Sequence, residues 1–230
     1  MFRFLIGSLF NVCYDIIFFV LIIALYGFIY TSLVALNQID IKKIIAYSSI
    51  AHMNFSLIGM FSQSISGLSG CLIMMLGHAL TSSALFLGIG VLYDRYKTRL
   101  IFYYSTMVIF MPLFSILYFL FILSNFGFPG TFNFVGEFLI TLGGFSFSST
   151  IIILSLLGMF LSLFYSLFLY NRIFFGSVKN IFIRYYSDLT RLEFYILSIF
   201  FVLILVFGIF PNNIFTYSFF LISKNIYVFF

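Results

Sequence analysis

The chain reads as an all-α bundle of membrane-spanning helices, and three observations lead there. Its 230 residues are 63% hydrophobic and only 7% charged, with a mean hydropathy of +1.22. The apolar residues fall in continuous runs rather than in alternation, and the runs recur throughout. A helix needs about 20 apolar residues to cross the hydrocarbon core. Backbone groups in lipid must pair within the structure, so only helices or closed barrels span it, and continuous runs select helices.

Six crossings are expected, in a single transmembrane domain over residues 1–230. An amino-terminal segment, 1–12, precedes spans lying within 13–210, and a tail, 211–230, follows. The first crossing is Ile16–Leu36, closed by the polar turn Asn37-Gln38-Ile39-Asp40. The second, residues 44–61, carries His52; the third, residues 68–93, carries His78. After the charged loop 94–99 the fourth crossing runs from 107 to 145 and is interrupted at Phe128-Pro129-Gly130, where proline and glycine break a helix. Glu137 follows the break by about two turns. The fifth crossing is residues 150–170 and the sixth 194–210, stopped by Pro211. The tail is apolar but holds Lys224, a composition suited to the membrane interface or to packing on a partner.

Charge sets the orientation. Alternating crossings put the loops 37–43, 94–99 and 171–193 on one side. They hold Lys42, Lys43, Arg95, Lys97, Arg99, Arg172, Lys179, Arg184 and Arg191, leaving Arg3 and Lys224 on the other side. The positive-inside rule assigns the basic side to the cytoplasm or matrix. The net charge of +5 therefore reflects topology, and nucleic acid is not an expected partner. Cys13 and Cys71 are too few for a metal site or a disulfide framework and read as small core residues. No Rossmann glycine fingerprint or phosphate loop occurs. The amino terminus lacks the Arg/Ser-rich amphipathic stretch of a presequence and the cleavage site of a secretory signal. The abundance of Phe (37) and Tyr (16), with no Trp, suggests an A/T-rich organelle genome.

Charged and titratable groups inside spans are costly and usually mark ion pathways or proton relays. His52, His78 and Glu137 are the candidates here. Histidine, with an ordinary pKa of about 6.5, loads and releases protons readily. Discontinuous helices near mid-membrane are the usual setting of transporter sites, which favours Glu137. Each residue also has a plainer role. His52 could simply hydrogen-bond neighbouring helices, and Thr81, Ser82 and Ser83 beside His78 supply either a hydroxyl chain or close packing. Lys43 fits a snorkelling anchor at the membrane edge; Lys42 is left open between anchor and relay.

Three stretches also carry a resemblance. They are Gln38 to Met53 (QIDIKKIIAYSSIAHM), Leu76-Gly77-His78 through Leu85-Phe86, and Phe128 to Phe138 (FPGTFNFVGEF). In that order they resemble the motifs of the chain 4 family of mitochondrial NADH:ubiquinone oxidoreductase, respiratory complex I. This is an antiporter-like group related to subunits of multi-subunit cation/proton antiporters. Glu137 stands where the related chains 2 and 5 usually carry lysine. Ala51 and Ala79 depart from the family's common serine and glycine.

The resemblance implies that His52 and His78 are central-axis histidines, that Glu137 is the broken-helix glutamate, and that Lys42 lies outside the usual axis. It implies the second inverted repeat, or carboxy-terminal half, of a fourteen-span subunit. The expected function is proton translocation coupled to electron transfer in other chains, where FMN, iron–sulfur clusters and quinone would reside; no cofactor is expected in this chain. Either the sequence is part of a longer polypeptide or the subunit is split, and a break in a loop, where interruption costs least, favours a split. The partners implied are a companion chain with the earlier spans, contacting Ile16–Leu36 and residues 68–93, other membrane-arm subunits, and phospholipids. Two rival readings are a cation/proton antiporter without redox coupling and a non-pumping structural subunit.

Overall fold

The structure is a computed structural model describing residues 10–176 and 187–212, with side chains from residue 16 onward. The described residues form eight α-helices in order: α1 (Phe10–Leu36), α2 (Ile41–Phe61), α3 (Ile65–Tyr96), α4 (Met107–Phe110), α5 (Pro112–Asn125), α6 (Phe132–Phe147), α7 (Ser149–Phe174) and α8 (Arg191–Ile209). A short 3-10 turn, Ile101–Tyr103, precedes α4. Among the described residues there are no strands, so the expected all-α membrane bundle is what the chain forms. Among the described residues five helices are long and apolar enough to cross a membrane: α2, α3, α7, α8 and α1 from Ile16. The half-helices α5 and α6, of 14 and 16 residues, are too short to do so singly. Together they occupy the place of the interrupted crossing.

That crossing starts later than expected. Residues 107–110 form a one-turn helix, and Met111 (φ −137°, ψ 70°) leaves helical geometry before α5 opens with Pro112. Proline excludes its predecessor from the helical region yet suits the first helical position, so the restart falls at Pro112 rather than at Met107. The break itself spans residues 126–131. Gly127, at φ +72°, closes α5 in a Schellman motif, with Phe128 N–H donating to Leu123 O (3.1 Å) and Gly127 N–H to Ser124 O (3.3 Å). The carbonyl of Phe128 accepts from the Thr131 hydroxyl (2.7 Å) and the Thr131 amide (3.1 Å). The carbonyls freed by the break are thus answered largely by the chain itself. Gly208 of α8 packs against the backbone of 130–132, covering the break from behind.

The basic loops meet at one end, as alternation requires. Ile41 N–H donates to Arg99 O and Ile101 N–H to Ile39 O, each at 3.0 Å. Arg95 reaches the segment before α8, donating to Ser187 O (3.1 Å) and Asp188 O (3.2 Å) and to both carboxylate oxygens of Glu193 (3.2 and 2.7 Å). Lys179, Arg184, the segment 1–9 and the tail from 213 lie outside the described residues. Near this end an aromatic core of Phe114, Tyr118, Tyr170 and Phe174 fills the space between α5 and α7. At the opposite end Ser64 caps α3, accepting from Gly67 N–H at 3.0 Å. A second core joins α1, α2, α6 and α7 through Phe28, Phe55, Ile140 and Ile152.

α1 and α8 keep broad apolar faces uncovered; Phe18 and Phe19 are 62% and 64% exposed. In a bilayer such faces meet lipid or other helices.

Candidate functional site

Glycine brings the site together. Gly136 and Gly143 on α6 lie against Met74 and Gly67 of α3, and Gly70 and Gly77 of α3 lie against Leu139, Ile140 and Asn133 of α6. A Cβ built at Gly136 would stand 2.8 Å from the backbone of Met74, so the two helices pack at a separation that only glycine permits. This seam fixes the rotation of α6 about its axis and turns Glu137 inward.

Three helices then deliver three titratable side chains to one buried cluster. His52 (α2), His78 (α3) and Glu137 (α6) are 2%, 4% and 5% exposed. The imidazole rings of His52 and His78 face each other with centroids 5.0 Å apart and planes tilted by 36°. Nδ1 of His52 lies 3.9 Å from Oε1 of Glu137. That is too long for a direct hydrogen bond and right for a bridge through one water or a small side-chain shift. The carboxyl of Glu137 also lies against Gly127, so it sits beside the broken end of α5. Within the described residues, Nε2 of His52 and both ring nitrogens of His78 have no hydrogen-bond partner.

The sequence names these three residues but not their neighbours. Asn133, one turn before Glu137, is fully buried and donates from Nδ2 to the Thr81 hydroxyl (3.3 Å), which in turn donates to His78 O (3.2 Å). Its i, i+4 spacing to Glu137 was the available signal. Tyr165 of α7 and Asn125 at the end of α5 are likewise buried, and Asn125 Oδ1 lacks a partner among the described residues. A polar group in an apolar span and an asparagine just before a break were the signals there. Of the three hydroxyls expected beside His78, only Thr81 joins the cluster. Ser82 and Ser83 donate to the carbonyls of Ala79 and Leu80 on their own helix.

Lys42 is not brought to the cluster. It is exposed in the first turn of α2, ten residues before His52 and so about 15 Å away along the helix. Its neighbour Lys43 pairs with Asp40 at 3.4 Å, as an anchor at the membrane edge does.

Comparison with known proteins identifies the family and the fold. Residues 1–164 match the family described as NADH:quinone oxidoreductase/Mrp antiporter, TM. NADH-ubiquinone oxidoreductase chain 4 of Chondrus crispus is 50% identical over 195 residues, covering 85% of this chain and 40% of the relative. The protein of the same name from Marchantia polymorpha is 50% identical over 194 residues, covering 84% of this chain and 39% of the relative. The chain therefore spans about two-fifths of the length of these relatives. Among solved structures, respiratory complex I from Thermus thermophilus with bound NADH superposes with a TM-score of 0.82 at 26% identity, covering 92% of this chain and 45% of that one. The Mrp complex from Dietzia sp. superposes with a TM-score of 0.80 at 16% identity, covering 88% and 46%, a likeness of fold alone. With the three motifs, the broken helix and a family match over residues 1–164, the chain belongs to the NADH:quinone oxidoreductase/Mrp antiporter membrane-subunit family.

Proposed function

We propose that this chain is part of chain 4 of NADH:ubiquinone oxidoreductase and that His52, His78 and Glu137 relay protons through the membrane arm. The observation that carries the reading is the approach of His52 Nδ1 to Glu137 Oε1 at 3.9 Å, inside a buried cluster at a helix break. Glu137 holds a proton on its carboxyl group. His52 accepts it through one intervening water and shares it with His78, whose ring faces its own. Lipid and packed helices keep bulk water out, so the exchange is confined to these groups. Gly127 leaves the carboxyl room beside the end of α5, and the covering contact of Gly208 keeps the break in place. Lys42 marks the membrane edge of the same helix and stands apart from the relay.

On this reading the redox steps belong to other chains, which would hold FMN, iron–sulfur clusters and quinone. The companion chain with the remaining spans of the subunit meets α1 and residues 68–93 of α3, and the uncovered face of α8 takes neighbouring membrane-arm subunits and phospholipid. The membrane is the mitochondrial inner membrane, with the basic end of the bundle toward the matrix, and the gene belongs to the organelle.

The test uses the assembled complex in proteoliposomes, with NADH-driven quinone reduction and proton movement recorded together. Glu137→Gln preserves shape and removes the titratable group. The expected result is normal assembly with lowered proton translocation per electron pair. Wild-type stoichiometry in this variant would show that the cluster is structural. Ion exchange that persists without any quinone reduction would instead indicate a free-standing cation/proton antiporter.

A further inference from the structure

The amide of Asn133 is oriented by its neighbours. Thr81 uses its only hydroxyl proton on His78 O (3.2 Å), so it meets Asn133 as an acceptor, and the side facing it must be the Nδ2 donor (3.3 Å). Oδ1 is then turned to the other side, against Gly77, where a Cβ would stand 2.5 Å away. Gly77 immediately precedes His78, so the amide oxygen is aimed at the helix that carries the histidine. Oδ1 has no hydrogen-bond partner among the described residues, and neither do Nδ1 and Nε2 of His78. A neutral imidazole always has one N–H donor, and an imidazolium has two. A buried acceptor without a donor and a buried donor without an acceptor thus stand on facing turns of two helices that only glycine lets approach.

We infer that Asn133 is a positioning residue for His78: its amide oxygen receives the proton-bearing nitrogen of His78 through one water or after a small side-chain turn, while its Nδ2 grips the His78 backbone by way of Thr81. This rests on the relay reading above and extends it, because it names the group that sets which His78 nitrogen carries the proton. The other nitrogen is left facing the relay. No bond is made or broken by Asn133 itself; it holds a proton carrier in one orientation and one tautomer.

The experiment again uses the assembled complex in proteoliposomes. Asn133→Leu keeps the approximate volume and removes both hydrogen bonds; Thr81→Val removes the hydroxyl link, and Thr81→Ser retains it. Asn133→Leu and Thr81→Val are expected to assemble and to lower proton translocation per electron, with the rate of NADH-driven proton movement falling about two- to tenfold, the factor that follows from losing one such hydrogen bond. Thr81→Ser should restore wild-type stoichiometry. The imidazole ring-stretching band in infrared difference spectra should shift in Asn133→Leu, a change that loss of packing alone does not produce. Unchanged stoichiometry and an unchanged band in Asn133→Leu would overturn the inference. If that variant does not assemble, the threonine pair decides: Val impaired with Ser normal supports the inference, and equal behaviour of the two overturns it. Glu137→Gln is measured alongside. Normal pumping there removes the relay reading and this inference together, whereas an impaired Glu137→Gln with a normal Asn133→Leu removes this inference alone.

Discussion

His52 and Glu137 belong to helices separated by the whole of α3 and the half-helix α5, yet His52 Nδ1 and Glu137 Oε1 lie 3.9 Å apart with both residues buried. Such a spacing is closed by a small side-chain shift or by one sharply bent water bridge. Glu137→Asp retracts the carboxyl by one methylene, about 1.5 Å, while keeping it titratable. Proton translocation per electron is expected to fall in this variant while assembly, read by native electrophoresis, stays normal. An aspartate that pumps at the wild-type ratio would argue against a geometry-dependent transfer.

Gly127 and Gly130 separate backbone strain from contact with the site. Both have positive φ, +72° and +93°, but a Cβ at Gly127 would strike the Glu137 carboxyl whereas one at Gly130 meets nothing within 4 Å. Alanine at either position costs about 1–2 kcal/mol of left-handed strain. Gly130→Ala is therefore expected to lower thermal stability slightly and leave pumping intact. Gly127→Ala should show a similar stability loss together with a clear pumping defect.

Asp188 caps α5 from outside it, accepting from Leu113 N–H (2.9 Å) and Phe114 N–H (3.3 Å), while Arg95 holds Glu193 and the backbone of 187–188. The cap ties the segment before α8 to the half-helix whose far end bears the break. Asp188→Ala should cost about 1 kcal/mol, the usual value of a lost helix cap. Arg95→Met removes charge-assisted hydrogen bonds from a mostly buried guanidinium and should cost about 1.5–3 kcal/mol. Hydrogen exchange in detergent should show faster exchange at Leu113 and Phe114 in both variants.

Gly136 and Gly143 admit no side chain without moving a helix. At Gly136 the nearest atoms are backbone of Met74, which cannot swing aside. Gly136→Val should separate α3 from α6 and abolish assembly. Gly90 has nothing within 4 Å of a built Cβ, so Gly90→Ala should assemble normally and serves as the control.

At the basic end, the Tyr104 hydroxyl donates to Thr98 O at 2.6 Å, and burial raises its pKa above the ordinary 10.0. The folded state then holds its phenol proton more tightly than the unfolded chain. The resulting stability is complete below pH 10 and is lost as pH rises through the higher folded value. The loop 97–106 should therefore loosen at strongly alkaline pH. Tyr104→Phe, which loses the hydrogen bond at all pH values, should flatten that dependence in hydrogen-exchange measurements.

Continuous apolar runs are sufficient to place α1, α2, α3, α7 and α8, because backbone pairing in lipid leaves a long apolar run no other stable form. The Pro-Gly pair marks the interrupted crossing, although the turn is closed by Gly127 and so begins two residues before Pro129. Helix ends shift by a few residues where capping decides them: Ser64 starts α3 earlier than hydropathy suggests, and Pro112 delays α5. The three titratable residues stand out in the sequence because each is rare in its surroundings.

What the sequence determined by itself is the class of fold, the grouping of the basic loops at one end and the identity of His52, His78 and Glu137 as candidates. Tertiary structure alone decided that Glu137 meets His52, that Thr81 joins the cluster while Ser82 and Ser83 do not, and that Asn133 belongs to the site. The reason lies in the solvent. In water one face of a helix is polar and reveals which side is inward, but a membrane helix is apolar on both its lipid face and its packed face. Its rotation is then set by which glycines let a neighbouring backbone approach, as Gly136 does with Met74, and that is a property of two helices together rather than of either sequence segment.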